Sequence, residues 1–141
     1  MRTVLPLLTM LLGCPAPQAT APQEAPIELP VEEPNELITD VQHLLGEAAA
    51  LQAAGRYVVA EAAWQRAYNL FRKHLLGHLR KADPTSALSL EYRFGQLRTE
   101  VNHRRGRPEP LARRLERVLE DHRHALVQAM TPRASPSPGA P

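Results

Sequence analysis

Cysteine is almost missing from this chain. Cys14 is the only one among 141 residues, so no internal disulfide can form, and any exported domain must hold together by packing alone. Long apolar runs are missing too. Val4 to Leu12 offers nine residues interrupted by Pro6, whereas a membrane-spanning helix needs roughly 20. No stretch alternates with period two and β-branched enrichment, which excludes a sheet. The chain also lacks a glycine-rich phosphate loop, a G-x-S-x-G elbow and an H-E-x-x-H pair. Glu100, Glu116 and Asp121 fall on polar helix faces, where solvation is the default role. The expectation is that the protein is not an enzyme.

What is present begins with the short apolar run itself. With Arg2 ahead of it and a proline-rich stretch behind it, the run fits the apolar core of a secretory signal. Leu11-Leu12-Gly13-Cys14 resembles the lipobox of bacterial lipoproteins. Leu11, Gly13 and Cys14 follow that pattern, and Leu12 stands where a smaller residue is more usual. The resemblance covers about the first fourteen residues. It implies that residues 1–13 are a signal peptide cut before Cys14, whose thiol is diacylglycerated and whose amine becomes the acylated mature N-terminus. The lipid bilayer is then one partner, held by two or three acyl chains where one would be marginal. Pro15 follows the cysteine. In two-membraned bacteria an Asp there retains lipoproteins at the inner membrane, so its absence favours the outer one.

Residues 14–34 read as a tether with six prolines, several acidic residues and no Lys or Arg. Such composition favours extended conformations of about 3 Å per residue. Residues 131–141, "TPRASPSPGAP", read as a disordered tail. Between them, residues 35–130 make one domain, near the lower comfortable size for a core without staples.

Apolar spacing divides that domain into four helices, giving a small all-α antiparallel domain. Asn35 is the expected N-cap of the first, with Leu37, Val41, Leu44, Leu45, Ala48 and Leu51 on one stripe and Gly55 as its stop. The second begins near Tyr57, carries Ala60, Trp64, Ala67, Phe71, Leu75 and His78 inward, and ends before Asp83-Pro84. Asp83 caps the third, whose stripe is Ala87, Leu90, Phe94, Leu97 and Val101 and whose stop is Gly106. Pro108 and Pro110 open the fourth, with Leu111, Leu115, Val118, His122, Ala125 and Ala129 aligned.

Within the first hairpin, "AAALQAAGRYVVAEAAWQRAYNLF" resembles the core of a tetratricopeptide repeat. Ala48 matches the small residue of its first helix, and Gly55 and Tyr57 match the glycine-x-aromatic turn. Ala60, Trp64 and Ala67 match the small, large, small series of its second helix. The physical content is close helix crossing, with Trp64 as the expected keystone between the first two helices. The likeness covers one repeat, departs from the pattern at Arg72 and has no second copy. An alanine-rich hairpin that arrived at the same spacing is the alternative, and a true solenoid is not expected.

The small net charge of +2 hides an asymmetry. Pro15 to Gly55 holds seven acidic residues and no Lys or Arg, and Arg56 to Pro141 holds sixteen basic and eight acidic ones. Arg104, Arg105 and Arg107, with Arg113 and Arg114, cluster at the turn between the third and fourth helices. They are either a solvated surface or a patch for an anionic partner, meaning lipid head groups, lipopolysaccharide phosphates or an acidic protein. Nucleic acid is not expected as a partner of an exported, anchored chain.

His74 and His78 lie one turn apart, and His122 falls on the fourth stripe, so the three are the candidate metal ligands. A neutral buried pair of His78 and His122 would satisfy the same pattern without metal. No cofactor is implied. The leading expectation is a lipid-anchored envelope protein whose helical domain contacts an envelope protein partner. The alternative is a periplasmic metal-binding or envelope-stress sensor using those histidines.

Overall fold

Local chemistry starts and stops each helix. The computed structural model describes residues 33–132 and residue 139; Cys14 and its lipobox, the 1–13 signal, the tether as far as residue 32 and most of the tail lie outside the described residues. Helix α1 runs Pro34–Ala53. Pro34 stands in its first turn, where a missing N–H costs no helical bond. Asn35, expected as the N-cap, is therefore inside the helix, and Glu33 precedes it without a side-chain capping bond. At the other end Gly55 adopts φ 76°, a left-handed conformation that costs glycine nothing. Its N–H donates to Gln52 O at 2.9 Å and the Arg56 N–H donates to Leu51 O at 2.9 Å, which satisfies two orphaned carbonyls of α1.

Helix α2 is a continuous rod of three parts: Tyr57–Leu70, a π-helical turn Phe71–Leu75, and Leu76–Ala82. It stops at Asp83, which caps α3, Pro84–Asn102. The Asp83 carboxylate accepts from the Ser86 N–H at 3.0 Å and from the Ser86 hydroxyl at 2.6 Å. Helix α4 runs Pro108–Met130. Among the described residues these four helices are the whole regular structure, an all-α antiparallel domain. Each packs on its two neighbours around a ring, α1 on α2 and α4, and α3 on α2 and α4, while the α1–α3 diagonal touches little.

Small residues line the most extensive seam. Ala48 and Ala49 on α1, with Ala60, Ala63 and Ala67 on α2, are all buried, and α1–α2 is the most extensive contact in the bundle. Short side chains let two helix axes approach, as the spacing implied. Larger side chains fill the rest of the core, including Phe71 stacked on Phe94 with ring centroids 4.7 Å apart. All five stripe residues of α3 are buried. Trp64 is 4% exposed, but its polar edge faces away from α1: the indole Nε1 donates to Phe94 O on α3 at 3.0 Å. It stacks on Tyr68 at 5.1 Å and lies under the Arg98 guanidinium at 5.2 Å. The expected keystone of α1 and α2 is thus also a bridge from α2 to α3.

The inward stripes of α2 and α4 depart from the expected ones. The π turn has more residues per turn than an α-helix, so it rotates everything beyond it by about one position. Leu79 consequently takes the buried place expected of His78, which is only half-buried. On α4 the buried series is Pro108, Ala112, Leu115, Leu119 and Leu126. His122 lies half-buried at its margin, and Ala125 and Ala129 are exposed. Leu44 and Leu51 on α1 are half-buried against the core.

Candidate functional site

Five arginines surround the α3–α4 turn, and the turn itself is built from three interactions at a distance. Gly106 cannot carry a side chain there: a Cβ would lie 2.0 Å from Glu100 O. Its own N–H donates to His103 O at 2.8 Å. The Glu100 side chain then reaches back across the turn, where Oε2 accepts from the Arg107 N–H at 2.7 Å. From α1, the buried Gln52 amide donates to His103 O at 2.9 Å and to Gly106 O at 3.1 Å. One side-chain amide thereby satisfies two carbonyls that the sharp turn leaves without helical partners.

On this frame Arg104, Arg105, Arg107, Arg113 and Arg114 are all exposed. Arg113 is paired with Glu109 one turn earlier on α4. For Arg104, Arg105, Arg107 and Arg114 no carboxylate lies within ion-pair distance among the described residues. Arg113 and Arg114 share a small recess with Arg117, which raises the local positive field further.

The turn also has a defined place on the bundle. Gln52 fastens it to the C-terminal end of α1, whose 20 residues span about 30 Å at 1.5 Å per residue. At the opposite end Arg123 of α4 clamps the start of α1, donating to Asn35 O at 3.0 Å and to Gln42 Oε1 at 2.8 Å. Gln42 completes that clamp by donating to Glu116 O at 3.0 Å and to Glu120 Oε2 at 3.1 Å. Those bonds and Arg123 hold the Glu120 carboxyl below its usual range. The arginine turn and the point where the chain enters α1 are therefore opposite poles of the domain.

The candidate metal ligands fare differently. His122 Nδ1 is 2.8 Å from Val118 O, and since a carbonyl only accepts, Nδ1 carries the proton. Its Nε2 faces Asp83 Oδ2 at 3.6 Å. His74 and His78 are both half-buried on α2. Among the described residues no group of three or more His, Cys, Asp or Glu side chains is placed to hold a metal ion, so His74, His78 and His122 do not form a three-ligand centre.

Ser86, Asp83 and His122 resemble a hydrolytic set by composition but not by order of bonds. The Ser86 hydroxyl donates to the carboxylate rather than to an imidazole, so no base stands ready to take its proton. The arrangement is a helix cap with a histidine beside it. Hydrogen bonds from Ser86 and the neighbouring His122 hold the Asp83 carboxyl below its usual range.

A second concave feature runs between α1 and α4. One part is a recess of about 580 Å³ floored by Ala49, Ala53 and Ala112 and rimmed by Arg107 and Arg113. The other, of about 670 Å³, is bounded by His43, Glu47 and Glu116, and Gly46 lies on the floor of both. Glu116, expected on a solvated face, is half-buried where the two meet, and desolvation pushes its carboxyl up despite nearby Arg113. Gln52, Glu100 and Arg123 were also absent from the expected site. Each acts on backbone atoms that come near only in the folded bundle, so their spacing carried no signal.

No protein-family model matches the chain, and no curated protein or solved structure matches it. The domain's own surface has to carry the functional argument. No described helix is long and apolar enough to cross a membrane.

Proposed function

We propose that this chain is a cell-envelope lipoprotein, anchored through acylated Cys14, whose four-helix domain is a protein-interaction module. Its binding element is the arginine turn, and its partner is an acidic protein of the envelope. The observation that carries the reading is the position of that turn. The turn that carries exposed Arg104, Arg105 and Arg107 stands about 30 Å from the end at which the chain enters α1, on a frame fastened by Gln52 and Glu100, with exposed Arg113 and Arg114 in the second turn of α4. Several guanidiniums held on a fixed frame match the fixed carboxylates of a folded protein surface better than mobile head groups. That favours an acidic protein over lipid among the anionic candidates.

The anchor and the patch are tested separately. Metabolic labelling with a fatty-acid analogue marks the wild type and leaves Cys14→Ser unlabelled; an unlabelled wild type overturns the anchor. In vivo crosslinking followed by mass spectrometry identifies what the wild type holds. Replacing Arg104, Arg105 and Arg107 together by Gln removes that crosslink. In vitro, the captured partner binds the full chain with steep salt dependence, since exposed charges more than about 8 Å apart are screened at physiological ionic strength. A triple variant that captures the same partner as the wild type shows the arginines to be solvated surface.

A further inference from the structure

The recess beside the arginine turn holds one fixed polar atom without a partner. Gln52 is only 5% exposed, and its Nε2 donates to both His103 O and Gly106 O. Only the amide nitrogen can meet two carbonyls, so the other arm of that amide is the oxygen. Among the described residues this Oε1 accepts no hydrogen bond, yet no buried side-chain nitrogen or oxygen there is sealed off without a partner. Oε1 therefore keeps contact with open space, and Gln52 lines the recess of about 580 Å³ between α1 and α4. That volume is ordinary for a ligand pocket. The floor at Ala49, Ala53 and Ala112 is apolar, and Arg107 and Arg113 stand at the rim. Glu109 answers Arg113, whereas Arg107 has no carboxylate within ion-pair distance among the described residues. Glu116 lies beside Gly46, about two turns along α4 from the Arg107 end.

We infer that this recess receives a peptide segment of the acidic partner protein in which an apolar side chain stands next to an Asp or Glu. The inference rests on the arginine turn being the binding element and names what enters beside it. Each group of such a segment meets its complement. The apolar side chain covers the alanine floor, the carboxylate makes a charge-assisted pair with Arg107, and a backbone N–H donates to Gln52 Oε1. Because the turn carbonyls hold the Gln52 amide before anything binds, the acceptor is already oriented. An ionised fatty acid would suit the floor and Arg107, but it carries no donor for Oε1. Glu116 limits the segment at the other end, where a second carboxylate would meet a like charge.

The test is a titration of the ¹⁵N-labelled full-length chain with N-acetyl-leucyl-aspartyl-amide. The asparaginyl analogue is the neutral control, and octanoate is the apolar anion without a peptide N–H. The expected result is saturable shifts at Ala49, Ala53, Arg107 and the Gln52 side-chain amide with the aspartyl peptide. The asparaginyl peptide binds about tenfold more weakly, the weight of one hydrogen bond to a charged group. Ala53→Leu, at an exposed position on the end of α1, intrudes on the recess and removes those shifts with all five arginines in place. Gln52→Leu removes them too; if that variant unfolds, Ala53→Leu decides. Equal binding of the two peptides, octanoate binding as tightly as the aspartyl peptide, shifts confined to Arg104, Arg105 and Arg114, or undiminished binding by Ala53→Leu each overturn the site. Shifts that appear only after Glu24, Glu28 and Glu32 are replaced by Gln make the chain's own tether the occupant and overturn the partner assignment. In the crosslinking experiment Ala53→Leu loses the partner as the arginine triple variant does. If Ala53→Leu keeps the partner and the triple variant loses it, the recess is overturned and the arginine turn stands.

Discussion

The α1–α2 turn and the α3–α4 turn both depend on a glycine, for different physical reasons. Gly55 is needed for its own dihedral, φ 76°, and the bonds that stabilise it run to Leu51 and Gln52 within the same helix end. Gly106 is needed because Glu100 O occupies the place of its Cβ, and the turn is held by a side chain from α1, fifty residues earlier in the chain. The first turn is local chemistry. The second exists only because two helices distant in sequence lie side by side, and it is the one that displays the arginines.

Trp64 tests that division most severely, since it belongs to the first hairpin by sequence and reaches the second through Phe94 O. Trp64→Ala should cost about 3–5 kcal/mol in denaturant unfolding followed by circular dichroism, by the usual large-to-small core cost. Trp64→Phe separates the indole hydrogen bond from the volume. A loss below about 1 kcal/mol for Trp64→Ala would mean that the two hairpins are joined mainly by leucine and phenylalanine packing.

Next in size are the two glycines. Gly106→Ala should cost about 2–3 kcal/mol, because the carbonyl in the way is backbone and has to move. Gly55→Ala should cost about 1 kcal/mol, the usual penalty of a left-handed non-glycine residue, since nothing lies within 4 Å of its added Cβ. Equal losses measured by chemical denaturation would erase the distinction between the turns. Gln52→Leu should fall between them at about 1–3 kcal/mol, as Gly106 O loses its donor and His103 O keeps only the Gly106 N–H.

The smallest effect is in acid. The carboxyls of Asp83 and Glu120 are held below their usual range, so what they add is complete only above about pH 5 and is lost as pH falls through their folded values. Glu116 is pushed the other way; its ionised form opposes folding, and acidification relieves that cost. Thermal midpoints of Asp83→Asn and Glu120→Gln should therefore depend less on pH below about pH 4 than those of the wild type. Glu116→Gln should make the neutral-pH domain no less stable.

Much of the fold was legible because it rests on periodicities of three and four. The α3 stripe from Ala87 to Val101, the Asp83 cap, the Gly55 stop and the alanine seam all follow from residue identity and spacing. His78 and the end of α4 were misplaced because stripe reading assumes an uninterrupted α-helical period. One π turn at Phe71–Leu75 is enough to exchange His78 for Leu79 in the core. Of the site, the arginine cluster was visible as a run of basic residues, but its distal position was not. That position depends on Gln52 meeting His103 O and Gly106 O.

The amino-acid sequence by itself determined that this chain builds helices and no internal disulfide, where each of the four helices begins or ends at one terminus at least, and which seam is lined by alanine. Those outcomes depend on dihedral preference, missing donors and side-chain volume, which act within a few residues. Only the tertiary structure decided that Gly106 must be bare, that Gln52 would be buried to hold a turn, that His122 would stand beside Asp83, and that Glu116 would lose part of its water. Desolvation and hydrogen bonding between helices depend on what the rest of the bundle brings within about 3 Å, and spacing along the chain carries no record of that.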